Sequence, residues 1–210
     1  MIIVFGGKKG GTGKSTIATN IAVGLTNRQR SVLLIDADPQ GTSWEFSQTR
    51  VENDQLSTIT AIKASGNIKK TILDFKDKFD DIIVDTHGGD STEQRTANLV
   101  ADIFIMPVRP SYADVASLAK QFESFEALKD LNEKLKLLCI LTQCPTNTRK
   151  IDQKDTEIVL KDFPYIKIME SYTSFYKVYW KALEEGMGVS EHSKKHKAGL
   201  EIDKLIEEIS

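Results

Sequence analysis

The sequence predicts a doubly wound α/β fold, a mostly parallel sheet with helices on both faces. Three observations carry this. Short apolar runs alternate with amphipathic stretches from one end of the 210 residues to the other, the rhythm of β-α units in a parallel sheet. Most of the short runs are continuously apolar and β-branched, as in "IIVF" at 2–5 and "IIV" at 82–84, which suits strands covered on both faces. No repeat, low-complexity tract or Gly/Ser/Pro-rich linker divides the chain, so a single domain over residues 1–210 is expected.

In chain order, the first strand is predicted at Ile2–Phe5 and runs into a glycine-rich loop. A helix over Ser15–Thr26 follows, then a strand at Val32–Ile35 that closes on an acidic turn. The next helix and strand fall at Thr42–Val51 and Leu56–Ile62. Ile68–Phe79 reads as a helix, Ile82–Asp85 as a strand, Thr92–Ala101 as a helix and Ile103–Val108 as a strand. A long helix over Asp114–Leu131 leads to a strand at Leu137–Thr142, a helix at Asp152–Phe163 and a last strand at Ile166–Glu170. Helices at Tyr176–Glu185 and Gly199–Ile209 complete the chain. The final one places Leu200, Ile202, Leu205, Ile206 and Ile209 along one face.

Composition narrows the function class. With 40% hydrophobic and 28% charged residues, the chain is long enough to bury a substantial core. The formal net charge is −2, so any nucleic-acid contact has to come from a local basic patch rather than a global field. Cys139 and Cys144 form neither a disulfide framework nor a zinc-ligand spacing. That pair, the strand-length limit on apolar runs, and a start "MIIVF" without a basic n-region all point to a cytoplasmic protein.

The stretch "GGKKGGTGKST" at 6–16 sits between a strand and a helix start, the context of a phosphate-binding loop. Gly10, Gly11 and Gly13 allow positive φ and close backbone approach, so successive N–H groups, including that of Thr12, can face phosphate oxygens. The following helix adds its positive end. Lys14 reaches the β- and γ-phosphates in such a loop, Ser15 ligates magnesium and Thr16 adds a contact to the α-phosphate. The pattern G-x-x-x-x-G-K-[ST] is broken at its first position, which is Lys8.

Two carboxylate boxes follow. "VLLIDADPQGTSW" puts Asp36 and Asp38 at the carboxyl end of the second strand, where open α/β sheets bind ligands. "DDIIVDTHGGDS" places Asp85 after an apolar strand, as in a Walker B carboxylate that holds magnesium through water. Gly88 or Gly89 could offer a backbone N–H to the γ-phosphate. His87 lies in the same loop and is given no role by sequence alone.

The variant K-G-G-x-G-K-[ST], here Lys9 to Ser15, resembles the deviant Walker A box of the ParA/MinD superfamily of P-loop ATPases. D-x-D-P-Q-G at 36–41 is similar to the switch I box of ParA-type members. "PVRPS" at 107–111 resembles the strand and loop after Walker B, usually P-V-x-P-S in the family, and the tail from Ser171 resembles the C-terminal part of the short plasmid-type proteins. The resemblance covers nearly the whole chain. It implies ATP and Mg2+ as cofactors, with Lys9 serving the nucleotide of a partner subunit across a homodimer, Asp38 positioning the attacking water and Asp36 supporting the magnesium shell. A second cation in such an interface stabilises the transferring phosphoryl group as an arginine finger does. Lys8 carries no family role and reads as a solvated loop charge.

Gln143, Pro145 and Asn147 follow the strand whose loop borders the adenine in relatives. The cysteines do not match those of the iron–sulfur relatives, so no such centre is expected. Arg109, Lys194, Lys195 and Lys197 are the candidate DNA contacts, with Arg149, Lys150, Lys177 and Lys181 adding to the positive clusters of the second half. Phe175, Tyr176, Tyr179 and Trp180 are expected in the core or an interface rather than as base platforms. The chain starts at the first strand, which sets the resemblance with proteins that lack an N-terminal helix-turn-helix.

The function implied is a DNA partition ATPase. Its ATP-bound sandwich dimer binds DNA non-specifically, associates with the nucleoid and is reset by a centromere-binding ParB-like protein that stimulates slow hydrolysis. The alternatives are a MinD-like or other cargo-positioning ATPase, or an ATP-dependent ligase on the same scaffold. The acidic tail, Glu201, Asp203, Glu207 and Glu208 against Lys204, argues against an anionic membrane surface, and no stable membrane insertion is expected.

Overall fold

Strand β1 (Ile2–Phe5) occupies the middle of a seven-stranded sheet, and its apolar residues point alternately to two separate cores. A computed structural model describes residues 1–119, 122–146 and 165–210. After β1 come α1 (Lys14–Asn27), β2 (Val32–Ala37), α2 (Thr42–Val51), β3 (Thr60–Lys63), α3 (Lys69–Phe75), β4 (Asp81–Thr86) and α4 (Thr92–Asn98). The second half holds β5 (Ile103–Val108), α5 (Tyr112–Ala119), α6 (Phe122–Leu131), β6 (Lys136–Cys144), β7 (Ile166–Ser174), α7 (Val178–Glu184), α8 (Val189–His192) and α9 (Lys197–Ile209).

The strand order is β3-β2-β4-β1-β5-β6-β7, and the pairings between neighbours are parallel. The predicted fold class is therefore the observed one. Ile3 and Phe5 pack with α1 and with Ile202, Leu205, Ile206 and Ile209 of α9. Ile2 and Val4 face the other side with Ile72, Ala97 and Phe125. Both faces are covered, so the strands need no polar alternation. The apolar face of α9 is spent on this packing except for Leu200, which is exposed in contrast to the sequence expectation.

Several boundaries differ from the sequence expectation. β3 begins at Thr60 rather than Leu56, because Leu56 N closes a turn on Asn53 O at 3.0 Å. β7 runs on to Ser174, where Glu201 and Glu208 of α9 accept from the amides of Ser174, Glu170 and Ser171 at the sheet edge. α3 stops at Phe75 and α4 at Asn98, each shorter than the apolar pattern suggested. Residues 120–121, inside the predicted long helix, and the predicted helix at Asp152–Phe163 lie outside the described residues, as do Asn147, Arg149 and Lys150.

Candidate nucleotide site

Five parallel strands bring their carboxyl ends to one edge, and the loops after β1, β2, β4 and β5 meet there beside the end of β6. Strand order reverses around β1, which makes this edge the place where open α/β sheets take ligands. The loop from Gly6 to Gly13 leaves β1 with positive φ at Gly7, Gly11 and Gly13. Gly13 is also the residue before α1 and supplies no side-chain cap, and no acidic residue lies in the first turn. The orphan amides of that turn are thus left for an outside anion. Lys14 is buried, with Nζ 3.5 Å from the Lys9 carbonyl oxygen. Gln143, at positive φ beyond an irregularity in the β6–β7 pairing, donates from Nε2 to Gly11 O at 2.8 Å. Thr142 Oγ1 donates to Thr12 O at 2.7 Å. Strand β6 thereby braces the loop from one side.

Strand β4 braces it from the other. Thr86 Oγ1 donates to Phe5 O at 2.7 Å. The Gly89 amide donates to Gly7 O at 2.8 Å, which brings the loop after β4 against the phosphate loop. A Cβ on Gly88 would come within 3.1 Å of Gly10 N and 3.2 Å of the Lys9 carbonyl, so glycine there is a matter of space. Gly7 N also donates to Gln94 Oε1 at 3.0 Å. Nothing in the sequence pattern singled out Gln94.

The carboxylates assemble through register. Asp36 of β2 pairs with Asp85 of β4, and Asp85 with Phe5 of β1, so both acids reach the same edge beside the loop. Asp85 is fully buried, and Ser43 Oγ donates to its Oδ2 at 2.6 Å. Burial pushes its carboxyl up to about 6, against the hydroxyls of Ser43 and Ser15 and the charge of Lys14, with Asp36 adding to the rise. Its Oδ1 is buried without a hydrogen-bond partner among the described residues. A buried carboxylate oxygen of this kind, with the Ser15 hydroxyl close by, fits a hard cation that takes oxygen ligands and keeps part of its water. Asp36 is also raised, first by burial, while the amides of Trp44 and Asp38 donate to it at 2.7 and 3.0 Å. Those bonds turn the Asp36 carboxylate toward its own loop, where it orders the Asp38–Trp44 segment.

Asp38 is half-buried and accepts from Gln40 N at 2.9 Å, and His87 Nδ1 lies 3.2 Å from the same Oδ1. Lys9 is paired with the buried carboxylate of Asp114, which Arg109 Nε also meets at 2.6 Å. Burial would raise the Asp114 carboxyl, but the hydrogen bonds from Arg109 and Lys9 hold it below the usual range. Asp114 was not among the residues picked from sequence. Its signal is its place three residues after Ser111, whose Oγ accepts from the Asp114 amide at 3.3 Å. Arg109 is thus engaged beside Lys9, whereas Lys194, Lys195 and Lys197 are exposed around the start of α9 and make no ion pair among the described residues.

Of the aromatic group, Tyr179 is in the core as expected. Phe175 and Trp180 are exposed and meet edge to face at 5.0 Å. They border a narrow cavity shared with Gly13, Thr16 and Gln143, so these two rings stand next to the phosphate loop rather than inside the fold. Cys139 is buried in the core, where burial pushes its thiol up to about 12.

A glycine loop feeding an uncapped helix, one buried lysine and two carboxylates in register define a P-loop nucleotide-binding protein. Residues 3–175 match the CbiA family, the CobQ/CobB/MinD/ParA nucleotide binding domain, and the chain belongs to it. It is 28% identical over 215 residues to "Maintenance of carboxysome distribution protein A" of Halothiobacillus neapolitanus, covering 96% of this chain and 92% of that one. A "ParA family protein" of Mycoplasma pneumoniae is 25% identical over 71% of this chain and 73% of its own. Among solved structures, an ATP complex of a Cyanothece McdA variant superposes with a TM-score of 0.78 at 17% identity, over 99% of this chain and 95% of that one.

Proposed function

We propose that this chain is a single-unit ATPase of the ParA type that cycles between a DNA-bound dimer and a free form. The observation that supports the reading is that the two lysines of one loop are held differently, Lys14 buried and Lys9 paired with Asp114. Lys14 is buried at the start of α1, where it meets the phosphates of its own subunit's ATP. Lys9 instead is paired with Asp114 and partly exposed, and it serves the nucleotide of a second copy. The amides of Gly10 to Gly13 and the open first turn of α1 hold the phosphate chain. The base lies against the exposed rings of Phe175 and Trp180, outside the narrow cavity that they border with Gln143. Thr16 lies at the mouth of the same cavity.

Ser15 and Asp85 would hold Mg2+, with Asp36 supporting the shell. When bound, the ion neutralises charge on the phosphates. Asp38 orients the attacking water through its carboxylate, and Lys9 of the neighbouring copy stabilises charge on the transferring group. Loss of the γ-phosphate removes the contacts of the loop after β4, which rests on the phosphate loop through Gly88 and Gly89, and the dimer equilibrium shifts back. The exposed lysines 194, 195 and 197 contact DNA phosphates, with Arg109 as a further contact at the dimer face. A centromere-binding protein of ParB type resets the cycle, and the ATP-bound form is nucleoid-associated. The packed apolar face of α9 supports this reading over a membrane-cycling one. Among the described residues no helix is long and apolar enough to cross a membrane.

A second reading, positioning of another cargo by the same cycle, is favoured by the relative named for carboxysome distribution. It differs in the partner protein and not in the chemistry. The test is binding to non-specific duplex DNA with ATP, with ADP and without nucleotide, at two salt concentrations. ATP-dependent binding that weakens steeply with salt supports the DNA-carried cycle. No binding in any state contradicts it.

A further inference from the structure

We propose that His87 is a positioning residue for Asp38, fastening the loop after β4 to the loop after β2. The inference rests on the reading of Asp38 as the group that orients the attacking water. Its physical basis is a contact between two segments 49 residues apart, with His87 Nδ1 3.2 Å from Asp38 Oδ1. A carboxylate only accepts, so this contact assigns the Nδ1–H tautomer and the imidazole donates.

The bond matters because of what else Asp38 touches. Its Oδ1 already accepts from Gln40 N at 2.9 Å, inside its own turn. A second donor on the same oxygen, arriving from another loop, fixes the rotation of a carboxyl group whose terminal torsion is otherwise broad. Among the described residues no donor meets Oδ2, so that oxygen is the one left for water. His87 in turn stands on a fixed base. Thr86, just before it, is bonded to Phe5 O at 2.7 Å, and Gly88, just after it, packs on the backbone of Lys9 and Gly10. The other carboxylate near the imidazole, Glu93, is occupied by Gly66 N at 2.7 Å.

The consequence is a mechanical link. The loop that rests on the phosphate loop carries the group that aims Asp38, so the two loops move into place together. A misaimed carboxylate should slow the chemical step without weakening the grip on nucleotide, since the phosphates are held by Lys14 and the loop amides. Orientation errors of this size are costly, on the order of 10²-fold in rate for a 1 Å displacement.

The experiment compares steady-state ATP hydrolysis and equilibrium ATP binding for the wild type, His87→Ala, His87→Asn and each of these combined with Asp38→Ala. His87→Ala should lower kcat by about tenfold or more with the ATP dissociation constant changed less than about twofold. His87→Asn should recover most of the rate, because its amide N–H can donate from nearly the position of Nδ1. On the residual rate left by Asp38→Ala, read by single turnover with enzyme in excess, His87→Ala should have no further effect. An unchanged or faster kcat in His87→Ala, a His87→Asn as slow as His87→Ala, or a further loss in the Asp38→Ala background would each overturn the proposal. If Asp38→Ala itself hydrolyses ATP normally, the reading of Asp38 fails and the inference with it. If Asp38→Ala is inactive while His87→Ala is normal, only the role of His87 fails.

Discussion

Asp85 shows how much the site asks of a single side chain. It is a fully buried carboxyl, raised to about 6 by burial, with one oxygen held by Ser43 and the other without a partner among the described residues. Such a group is costly unless a cation completes it. Asp85→Asn should therefore abolish the enhancement of ATP affinity by Mg2+, which calorimetry with and without the ion would show as equal dissociation constants. Gly88→Ala tests packing instead of charge. Its Cβ would press on Gly10 N and the Lys9 carbonyl, so ATP affinity should fall by about tenfold while the circular dichroism stays native. An unchanged affinity would mean that the loop after β4 can yield without disturbing the phosphate loop. At this scale the sequence was most informative about residues in patterned boxes. Lys14, Asp36, Asp38 and Asp85 meet at one strand edge because the boxes end strands. Ser43, Gln94 and Asp114 escaped because their partners lie 42, 87 and 105 residues away, and no short-range pattern encodes such a distance.

At the scale of elements, the buried guanidinium of Arg50 joins three parts of the chain. It donates to both oxygens of Glu191 at 2.8 Å, to Ser57 O at 2.7 Å and to Gly186 O at 3.0 Å. It thereby ties α2 to the segment before β3 and to α8, and a Cβ on Gly186 would collide with its backbone at 2.5 Å. Removing Arg50 leaves the Glu191 carboxylate uncompensated, so Arg50→Ala should lose on the order of 3–5 kcal/mol of stability by denaturant melts. A loss below about 1 kcal/mol would show that water replaces the guanidinium. Burial would raise the Glu191 carboxyl, but Arg50 and the Gly188 amide outweigh it and hold the group below its ordinary range. That stabilisation is present above the unfolded value of about 4.3 and fades as the pH falls through the lower folded value. The gap in stability between the wild type and Glu191→Gln should accordingly narrow below about pH 4. None of this was legible in sequence, where Arg50 reads as one more helix cation. The strands were legible, since their apolar runs are buried on both faces. The ends of β3 and β7 were not, because a turn on Asn53 and the edge-covering glutamates of α9 set them.

For the whole molecule, the phosphate loop and both carboxylate boxes combine into one site at the carboxyl edge of the sheet, which the proposed cycle completes with a second copy. Lys9 is paired with Asp114 and joined there by Arg109, whereas Lys14 is buried at the start of α1. The fold class was readable from the β-α rhythm alone, but the separation of the two lysines needed the three-dimensional loop. The exposed lysines before and at the start of α9 give the surface a local basic patch in a chain of net charge −2. Substituting Lys194, Lys195 and Lys197 together with alanine should flatten the salt dependence of DNA binding, reducing the slope of log affinity against log salt by about 0.9 for each lost contact. Hydrolysis without DNA should be unchanged. A slope equal to that of the wild type would remove these lysines from the interface.

The proposal that two copies share a site is tested most directly by mixing Lys9→Ala and Asp38→Ala, each expected to block turnover, and measuring ATP hydrolysis. In a mixed dimer the Lys9→Ala copy keeps its own Asp38 and receives Lys9 from its neighbour, so one complete site is rebuilt. Random pairing of equal amounts should restore about a quarter of the wild-type rate per subunit. No recovery, with dimers shown to exchange, would place both lysines in the same subunit's site and contradict the account.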